Sequence, residues 1–323
     1  MLATPSECMA LLRCPKTGYP LRRSNDKLVA SSLETDPQPE YPIIEDIPVL
    51  IDFQNSVLTA DDVIVNAAAS VVERPRYSGV TAHIKRLLSP HKSSTRTNVR
   101  RLITELEENP NPSSVLIVGG GSIGQGMQPI YDHPRLTVYS FDIYRSKLTQ
   151  FIADAHQIPM PESSVDAVVV QAVLEHVLQP QMVVDQIWRV LKPRGLVYSE
   201  TPFMQQVHEG AFDFTRFTES GHRYLFRDFE CLASGASGGP GLQFMWSMDY
   251  LVRSLFRSER AGKVAKLLFF WAQYLDRLVP PSYAVDGASG VFFLGRKSLT
   301  RLQPSEIIPY YRGAQTTQGR ENL

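Results

Sequence analysis

Glycines that directly follow an apolar run are the first feature of the sequence that could do chemistry. After the run VLIV come Gly119, Gly120, Gly121, Ser122, Gly124 and Gly126. Glycine lets the chain turn sharply and lets its backbone approach a ligand closely. Gly119, Gly121 and Gly124 also satisfy the GxGxxG pattern of dinucleotide-binding loops. The loop therefore predicts a nucleotide-like ligand, but it does not distinguish one adenosine cofactor from another.

A carboxylate ends the next apolar run. Asp142, with Ile143 beside it, follows the residues TVYSF. At a strand end, this carboxylate could accept hydrogen bonds from both ribose hydroxyls of an adenosine, each worth roughly 1.5–3 kcal/mol. An aspartate that only caps a turn is the alternative interpretation.

A third polar cluster follows the apolar run GLVYSE. It contains His208, Glu209, Asp213 and Arg216. His208 is the candidate general base, because the unperturbed pKa of histidine lies near neutrality. Asp213 is its candidate partner, and Glu209 and Arg216 are candidate substrate contacts. The alternative is that His208 and Asp213 only brace a loop through hydrogen bonds.

The elements that would position these residues alternate along the chain. Short β-branched runs (VLIV, LTVYSF, DAVVVQ, GLVYSE) alternate with helical patterns such as PQMVVDQIWRVL. This alternation predicts an α/β fold with a doubly wound, mostly parallel sheet. The carboxyl ends of its strands are where ligands bind in such folds. The link after Asp142 is shorter than the dozen residues that a parallel crossover normally needs. Either an extended link replaces the helix there, or the assignment of that strand is wrong.

Residues 151–177, FIADAHQIPMPESSVDAVVVQAVLEHV, resemble class I S-adenosylmethionine-dependent methyltransferases, of the kind called methyltransferase type 11. RVLKPRGLVYSETPF resembles the helix, turn and fifth strand of the same Rossmann-like fold, and the resemblance covers about residues 113–230. It implies that Asp154 and Ala155 meet the adenine and that Gln171 and Leu174 border the sulfonium. Glu175 and His176 would contact the substrate.

The resemblance implies methyl transfer from S-adenosyl-L-methionine. We expect the acceptor to be a small molecule, a sugar or a lipid-linked intermediate, methylated at oxygen. One departure is Ile117, where many family members carry an acidic residue. Two alternatives stay open: an NAD(P)-dependent oxidoreductase that uses the GxGxxG loop, and a degenerate, non-catalytic binding subunit.

The N-terminal residues LLRCPKTGYPL and YPIIEDIPVLI resemble a small zinc-ribbon-like domain related to a methyltransferase activator subunit. Zinc sites commonly use paired cysteines. Cys14 stands alone, with Thr17 in the place of its partner, so we expect the module without a metal and predict no metal ligands elsewhere.

Composition limits the partners of the chain. Of 323 residues, 33 are Lys or Arg and 33 are Asp or Glu, and the resulting net charge of zero argues against a nucleic-acid substrate. Three scattered cysteines fit a reducing cytosol, and no apolar run is long enough to span a bilayer. The stretch 249–279 is basic and aromatic. A helical lid or packing element is the favoured interpretation there, and a peripheral membrane contact is the alternative. The oligomeric state stays open.

We expect four regions along the chain. They are a zinc-ribbon-like β module (1–53), a linker with helices (54–112), a methyltransferase core (113–232) and a helical extension or lid with final strands (233–323). Within the last region, the Gly/Ser stretch 233–241 predicts a loop, and residues 283–297 could supply a final hairpin.

Overall fold

The computed structural model describes residues 1–31, 38–65 and 93–315. Within these ranges, the strands join into one continuous sheet. In chain order they are β1 Leu21–Ser24, β2 Lys27–Ala30, β3 Glu40–Ile44, β4 Ile47–Leu50, β5 Ser113–Val118, β6 Leu136–Asp142, β7 Phe151–Ala153, β8 Val165–Gln171, β9 Leu191–Pro202, β10 Phe229–Gly238 and β11 Gly290–Lys297.

Helices cover both faces of the sheet, and further helices lie between β10 and β11 along the chain. Those that the structure describes are α1 Pro5–Leu11, α2 Ser93–Glu107, α3 Gln128–Asp132, α4 Pro180–Val190, α5 Glu219–Leu225, α6 Pro240–Phe256, α7 Glu259–Leu268, α8 Ala272–Leu275, α9 Pro281–Asp286 and α10 Pro304–Ile307. A π-helical turn spans Asp61–Val65, and 3₁₀ turns span Ala155–Gln157, Leu174–His176 and Gly210–Phe212.

The central strands are buried on both faces, as their continuous apolar sequences predict. Successive side chains of β5 alternate between two hydrophobic clusters, because neighbouring residues of a strand point to opposite faces. Leu116 and Val118 pack on the face covered by α4, whereas Val115 and Ile117 pack on the face covered by α2. The sheet is therefore a layer between helices, which confirms the expected doubly wound α/β class.

The strand order places a reversal of direction in the middle of the sheet. It reads β1-β2-β3-β4-β7-β6-β5-β8-β9-β11-β10, and the pairs from β4 to β9 in this order are parallel. From β5 the chain first winds to β6 and β7 and then returns to β8 on the other side. A crevice opens at the carboxyl ends of the strands at such a reversal, and ligands bind there in this class of fold.

The short link after β6 is extended. β7 pairs in parallel with β6 although residues 143–150 contain no helix. The N-terminal strands continue the same sheet, because β4 pairs in parallel with β7 through Val49–Ile152 and Leu50–Ala153. Cys14 is buried, and its Sγ lies 3.2 Å from Tyr41 Oη. The zinc-ribbon resemblance and the division into four regions stay predictions, and much of the expected linker lies outside the described residues.

Two expectations for the C-terminal third were wrong. The Gly/Ser stretch 233–241 was expected as a loop, but residues up to Gly238 belong to β10. Pairing with β11 overrides the weak strand propensity of glycine and serine, and irregularities after Cys231 and after Ala236 accommodate the residues that do not fit. The hairpin expected in 283–297 is also wrong, since Tyr283 lies in α9 and only Gly290–Lys297 is a strand.

The buried histidine of α5 generates a prediction for stability. His222 is 1% exposed, and its Nε2 lies 3.0 Å from Ser199 Oγ. Burial lowers the pKa of His222 to about 3. In the unfolded chain, His222 therefore binds a proton with a pKa near 6.5, whereas in the folded chain the ring stays neutral. The free energy of unfolding decreases as the pH falls below 6.5. We expect the free energy of unfolding to drop by about 2 kcal/mol from this group between pH 7 and pH 5.

Urea unfolding followed by tryptophan fluorescence at both pH values measures this drop. His222→Gln removes the titration and should flatten the pH dependence by that amount, whereas the control His133→Gln should not. An unchanged slope in His222→Gln would contradict the assignment of the acid sensitivity to His222.

Candidate active site

The glycine loop turns directly off β5 in a conformation that needs glycine. Gly119 has φ +72°, and a Cβ there would lie 2.3 Å from Val173 Cγ2. The backbone N–H of Gly120 donates to the Phe141 carbonyl at 2.8 Å. A Cβ on Gly124 would lie 1.8 Å from Gln171 Oε1. Side chains are therefore excluded where the loop meets β6 and β8, and the backbone itself forms the floor of the crevice.

Asp142 joins the glycine loop to the end of β6. Its Oδ2 accepts a hydrogen bond from the Gly121 backbone N–H at 2.7 Å, and its Oδ1 accepts one from the Ile143 N–H at 2.7 Å. The side chain is nearly buried. The carboxylate therefore has a fixed orientation before any ligand arrives, as a group that binds a ribose requires.

Asp154 holds the end of β7 in a similar way. Its carboxylate accepts hydrogen bonds from the His156 backbone N–H at 2.9 Å and from the Ser56 hydroxyl, and it lies 2.6 Å from His156 Nδ1. Burial alone would raise the pKa of Asp154, but the hydrogen bonds from His156 and Ser56 outweigh burial and lower it. Asp154 is therefore an anion at neutral pH.

Two cavities meet at the reversal of strand order. The first cavity, of about 350 Å³, lies over the ends of β6 and β7 and is mostly apolar. Its walls include Val57, Leu58, Gly119, Asp142, Ile143, Tyr144, Asp154, Ala155, His156, Val173, His176, His208, Glu209 and Phe212. The second cavity, of about 320 Å³, lies over the ends of β8 and β9. Its walls include Gly119, Ser122, Gly124, Gln171, Ala172, Glu175, Glu200, Thr201, His208, Leu242, Trp246 and Ser289.

The wall between the cavities is thin. Val118, Gly119, Ala172 and His208 line both of them. A group bound in the first cavity can therefore directly contact a molecule bound in the second cavity.

His208 stands at this boundary in a charged cluster. Its Nδ1 lies 3.2 Å from Asp213 Oδ2, and its backbone N–H donates to the same oxygen at 2.9 Å. Arg216 binds Asp213 through two guanidinium nitrogens. Burial alone would raise the pKa of Asp213, but the hydrogen bonds from Arg216 and the backbone of His208 lower it to about 2. Burial and the nearby ring of His176 lower the pKa of His208. His208 is therefore a neutral imidazole at pH 7.

Glu175 and His176 complete the cluster from the turn after β8. The rings of His176 and His208 lie 4.9 Å apart, edge to face. His176 Nδ1 lies 2.7 Å from the Phe212 carbonyl, and its Nε2 lies 3.5 Å from Glu175 Oε1. The ligand atoms of Glu175, His176 and His208 all lie within 4.8 Å of one another, and two imidazoles with one carboxylate suit a divalent transition metal. The expectation of no metal in this chain stays a prediction.

The structure brings most of the predicted site residues together and leaves some behind the walls. Gly120 lies against Ser140, and Leu174 is fully buried in the core. Asp213 and Arg216 support His208 from behind. These four residues and Gly121 line neither cavity. Gln171 faces the second cavity rather than the first, and its amide donates to Glu200 at 2.7 Å.

Several wall residues were missed from the sequence. Val57 and Leu58 come from the N-terminal region and line the first cavity, and the neighbouring Ser56 donates a hydrogen bond to Asp154. Glu200 is a buried carboxylate of the second cavity that accepts hydrogen bonds from Thr95, Tyr198 and Gln171. The available signal for Glu200 was its charge at the end of the apolar run GLVYSE. No local signal marked the residues 56–58.

The sheet, the glycine loop and the crevice define a doubly wound α/β protein that binds an adenosine-type cofactor at its strand ends. Residues 118–199 match the family described as methyltransferase domain, so this segment is a methyltransferase domain. The S-adenosylmethionine-dependent methyltransferase that the sequence predicted is confirmed for this segment. The oxidoreductase alternative is thereby set aside. No curated protein matches the chain.

The chain is similar to solved structures of methyltransferases at low identity. Phosphoethanolamine N-methyltransferase 2 of Haemonchus contortus, in complex with S-adenosyl-L-methionine, is 12% identical with a TM-score of 0.45, over 86% of this chain and 71% of its own. The 1,6-didemethyltoxoflavin-N1-methyltransferase of Burkholderia thailandensis, with bound 1,6-didemethyltoxoflavin and S-adenosylhomocysteine, is 14% identical with a TM-score of 0.39, over 70% and 93%.

The first cavity fits the cofactor by its own chemistry. A volume of about 350 Å³ is within the range of small-molecule sites. A fixed carboxylate at Asp142 suits a diol, and the apolar walls around Asp154 suit a purine. No Cβ fits at Gly119, where Val173 lies too close, so the backbone of the glycine loop itself lines the cavity.

Asp142 provides a direct test of this fit. Asp142→Asn keeps the size of the side chain but loses the charge and one acceptor, so binding of S-adenosylhomocysteine should weaken roughly 10- to 100-fold. Titration calorimetry measures the Kd. The matched control Asp132→Asn, an exposed position on α3, should leave the Kd unchanged. Equal affinity in Asp142→Asn and wild type would show that the ribose lies elsewhere.

Proposed function

We propose that the enzyme methylates a hydroxyl of a small-molecule, sugar or lipid-linked acceptor bound in the second cavity. The observation that carries the proposal is the position of His208, which lines both cavities and is oriented by Asp213. The cofactor supplies an electrophilic methyl group on a sulfonium. Everything else in the reaction is positioning and removal of a proton, which this chain's own residues can provide.

The first cavity would hold the adenosine half of the cofactor. Asp142 would accept hydrogen bonds from the ribose hydroxyls, and Asp154 with Ala155 would meet the adenine. The backbone of the loop at Gly119 would let the methionine half pass toward the second cavity. The sulfonium would then lie near Ala172, where the two cavities meet.

His208 would take the proton of the acceptor hydroxyl. Asp213 faces Nδ1, so Nδ1 carries the hydrogen of the neutral ring and Nε2 offers its lone pair. Nε2 lies 3.9 Å from Glu175 Oε1 in the absence of an acceptor. Once protonated, the imidazolium would be stabilised by the carboxylates of Asp213 and Glu175 on its two sides.

The walls of the second cavity support a hydroxylated acceptor with an apolar portion. Gln171, Thr201 and Ser289 offer hydrogen-bonding groups on the side of the sheet, while Leu242 and Trp246 of α6 form the opposite wall. A flat indole opposite polar groups is suited to stacking on the apolar face of a sugar ring.

The reaction can be tested with a panel of hydroxylated acceptors, free sugars and lipid-linked sugars, by following formation of S-adenosylhomocysteine. We expect turnover with at least one acceptor, and mass spectrometry with NMR of the product should place the methyl group on oxygen. A product methylated only on nitrogen would overturn the choice of oxygen. Absence of turnover with every acceptor, despite cofactor binding, would favour the non-catalytic alternative.

His208 provides the mechanistic test. His208→Gln should lower kcat roughly 10²- to 10⁴-fold, because the hydroxyl then keeps its proton as it attacks. In the wild type, the acid limb of kcat should lie below pH 6.5, the ordinary pKa of histidine, because the lowered pKa of His208 keeps the ring neutral to lower pH. The acid limb should disappear in His208→Gln. His133→Gln is the control, and a variant that retains the wild-type kcat and acid limb would exclude His208 as the base.

A further inference from the structure

The second half of the chain carries an unusual concentration of exposed apolar side chains. Among the described residues, 25 large hydrophobic side chains are exposed, and 13 of them lie within residues 244–283. They are Phe244, Tyr250, Leu251, Leu255, Phe256, Val264, Leu267, Leu268, Trp271, Tyr274, Leu275, Leu278 and Tyr283. Scattered exposed leucines are ordinary on soluble proteins, but a concentration in one helical unit marks an interaction surface. We call these 13 residues the helical patch.

The unit that carries the helical patch is built with its small residues inward. Gly262 and Ala265 of α7 are buried, and so is Ala272 at the start of α8. A Cβ on Gly241 would lie 2.1 Å from the Ala272 carbonyl. Because the helices approach each other through glycine and alanine, their large apolar side chains are left facing outward. Leu255 and Phe256 at the end of α6 are each 71% exposed.

The charges around the helical patch are predominantly positive. Arg257, Arg260, Lys263 and Arg277 are exposed, whereas Glu259 is the one exposed acidic residue in this stretch of the described chain. The two other acidic residues of the stretch face inward.

Asp249 and Asp276 account for that inward charge. Asp249 pairs with Arg253 at 3.1 Å. Asp276 accepts hydrogen bonds from the backbone N–H groups of Gly239, Gly241 and Leu242 at the start of α6. The outward charge of the unit is therefore cationic, although the whole chain has no net charge.

We propose that the helical patch docks on the surface of an anionic phospholipid bilayer. Leucine, phenylalanine and tryptophan side chains would enter the interface, and the arginine and lysine side chains would meet the lipid phosphates. A second copy of the chain is a poorer occupant. A two-fold symmetric contact would place the same cations opposite one another. None of the described helices combines the length and the hydropathy of a membrane span.

The same helix connects this surface to the second cavity. Leu242 and Trp246 in the first half of α6 line that cavity, and Leu255 and Phe256 at its end belong to the helical patch. Docking would therefore bring the acceptor cavity to the bilayer. This favours a lipid-anchored acceptor, a conclusion that rests on the proposed function, whereas the docking itself does not.

Sedimentation of the full chain with vesicles tests the docking. We expect binding to vesicles of phosphatidylcholine mixed with phosphatidylglycerol, weakened by salt, and at least tenfold weaker binding to phosphatidylcholine alone. The double variant Leu255→Asn/Phe256→Asn should lose most of the binding to both. Arg260→Gln/Lys263→Gln should weaken binding to the anionic vesicles roughly thirtyfold, at about fivefold per cation.

The matched control is Leu299→Asn/Ile308→Asn, which removes two apolar side chains outside the helical patch that are even more exposed, and it should bind like the wild type. Circular dichroism and S-adenosylhomocysteine affinity report whether each variant is folded, and neither depends on the acceptor or on turnover. Failure of the wild type to sediment with anionic vesicles at low salt would overturn the proposal. The proposal would also be overturned if analytical ultracentrifugation showed a dimer that Leu255→Asn/Phe256→Asn dissociates while the same variant still binds vesicles.

Discussion

The reversal of strand order between β5 and β8 is the constraint on which the site depends. Parallel strands direct their carboxyl ends to the same edge, and the chain leaves β5 and β8 toward opposite sides of the sheet. The loops after these two strands therefore separate, and the space between them cannot be filled by either one. Gly119 and Ala172, one from each loop, mark the point where the two cavities meet.

Hydrogen bonds between neighbouring strand ends make this open edge rigid. Asp142 holds the loop after β5, Asp154 holds the segment at Ser56, and Glu200 joins β9 to α2 through Thr95. Each carboxylate is buried and satisfied by donors from another element, so the low local dielectric strengthens the bonds rather than penalising the charge. The same carboxylates that could recognise a ligand thus also hold the shape of the crevice. Their two roles can be separated only by substitutions that keep the side-chain size.

Local sequence patterns were sufficient to predict the central elements of the core, but they were insufficient to predict the residues at its borders. The glycine loop, Asp142 and the helix Pro180–Val190 follow from patterns within a dozen residues, and the structure places them as expected. Val57 and Trp246 could not be found in this way, because contacts from distant parts of the chain bring them to the cavities. The strand at Phe229–Gly238 was missed for a related reason, since its glycines and serines are held extended by the β-branched and aromatic residues of β11.

The absence of a helix between β6 and β7 also constrains the order in which the protein can fold. The space beside β6 is taken by the first residues of the chain: the N-terminal ammonium donates to the Leu136 carbonyl, and the Ala3 N–H donates to that of Val138. Strand β4 likewise pairs with the central sheet only through β7, so this pairing cannot form before β7 is present. Residues 1–50 therefore depend on contacts with residues roughly a hundred positions further along the chain, and contacts of such large sequence separation slow folding. The N-terminal segment completes the core as a late-docking edge instead of nucleating it.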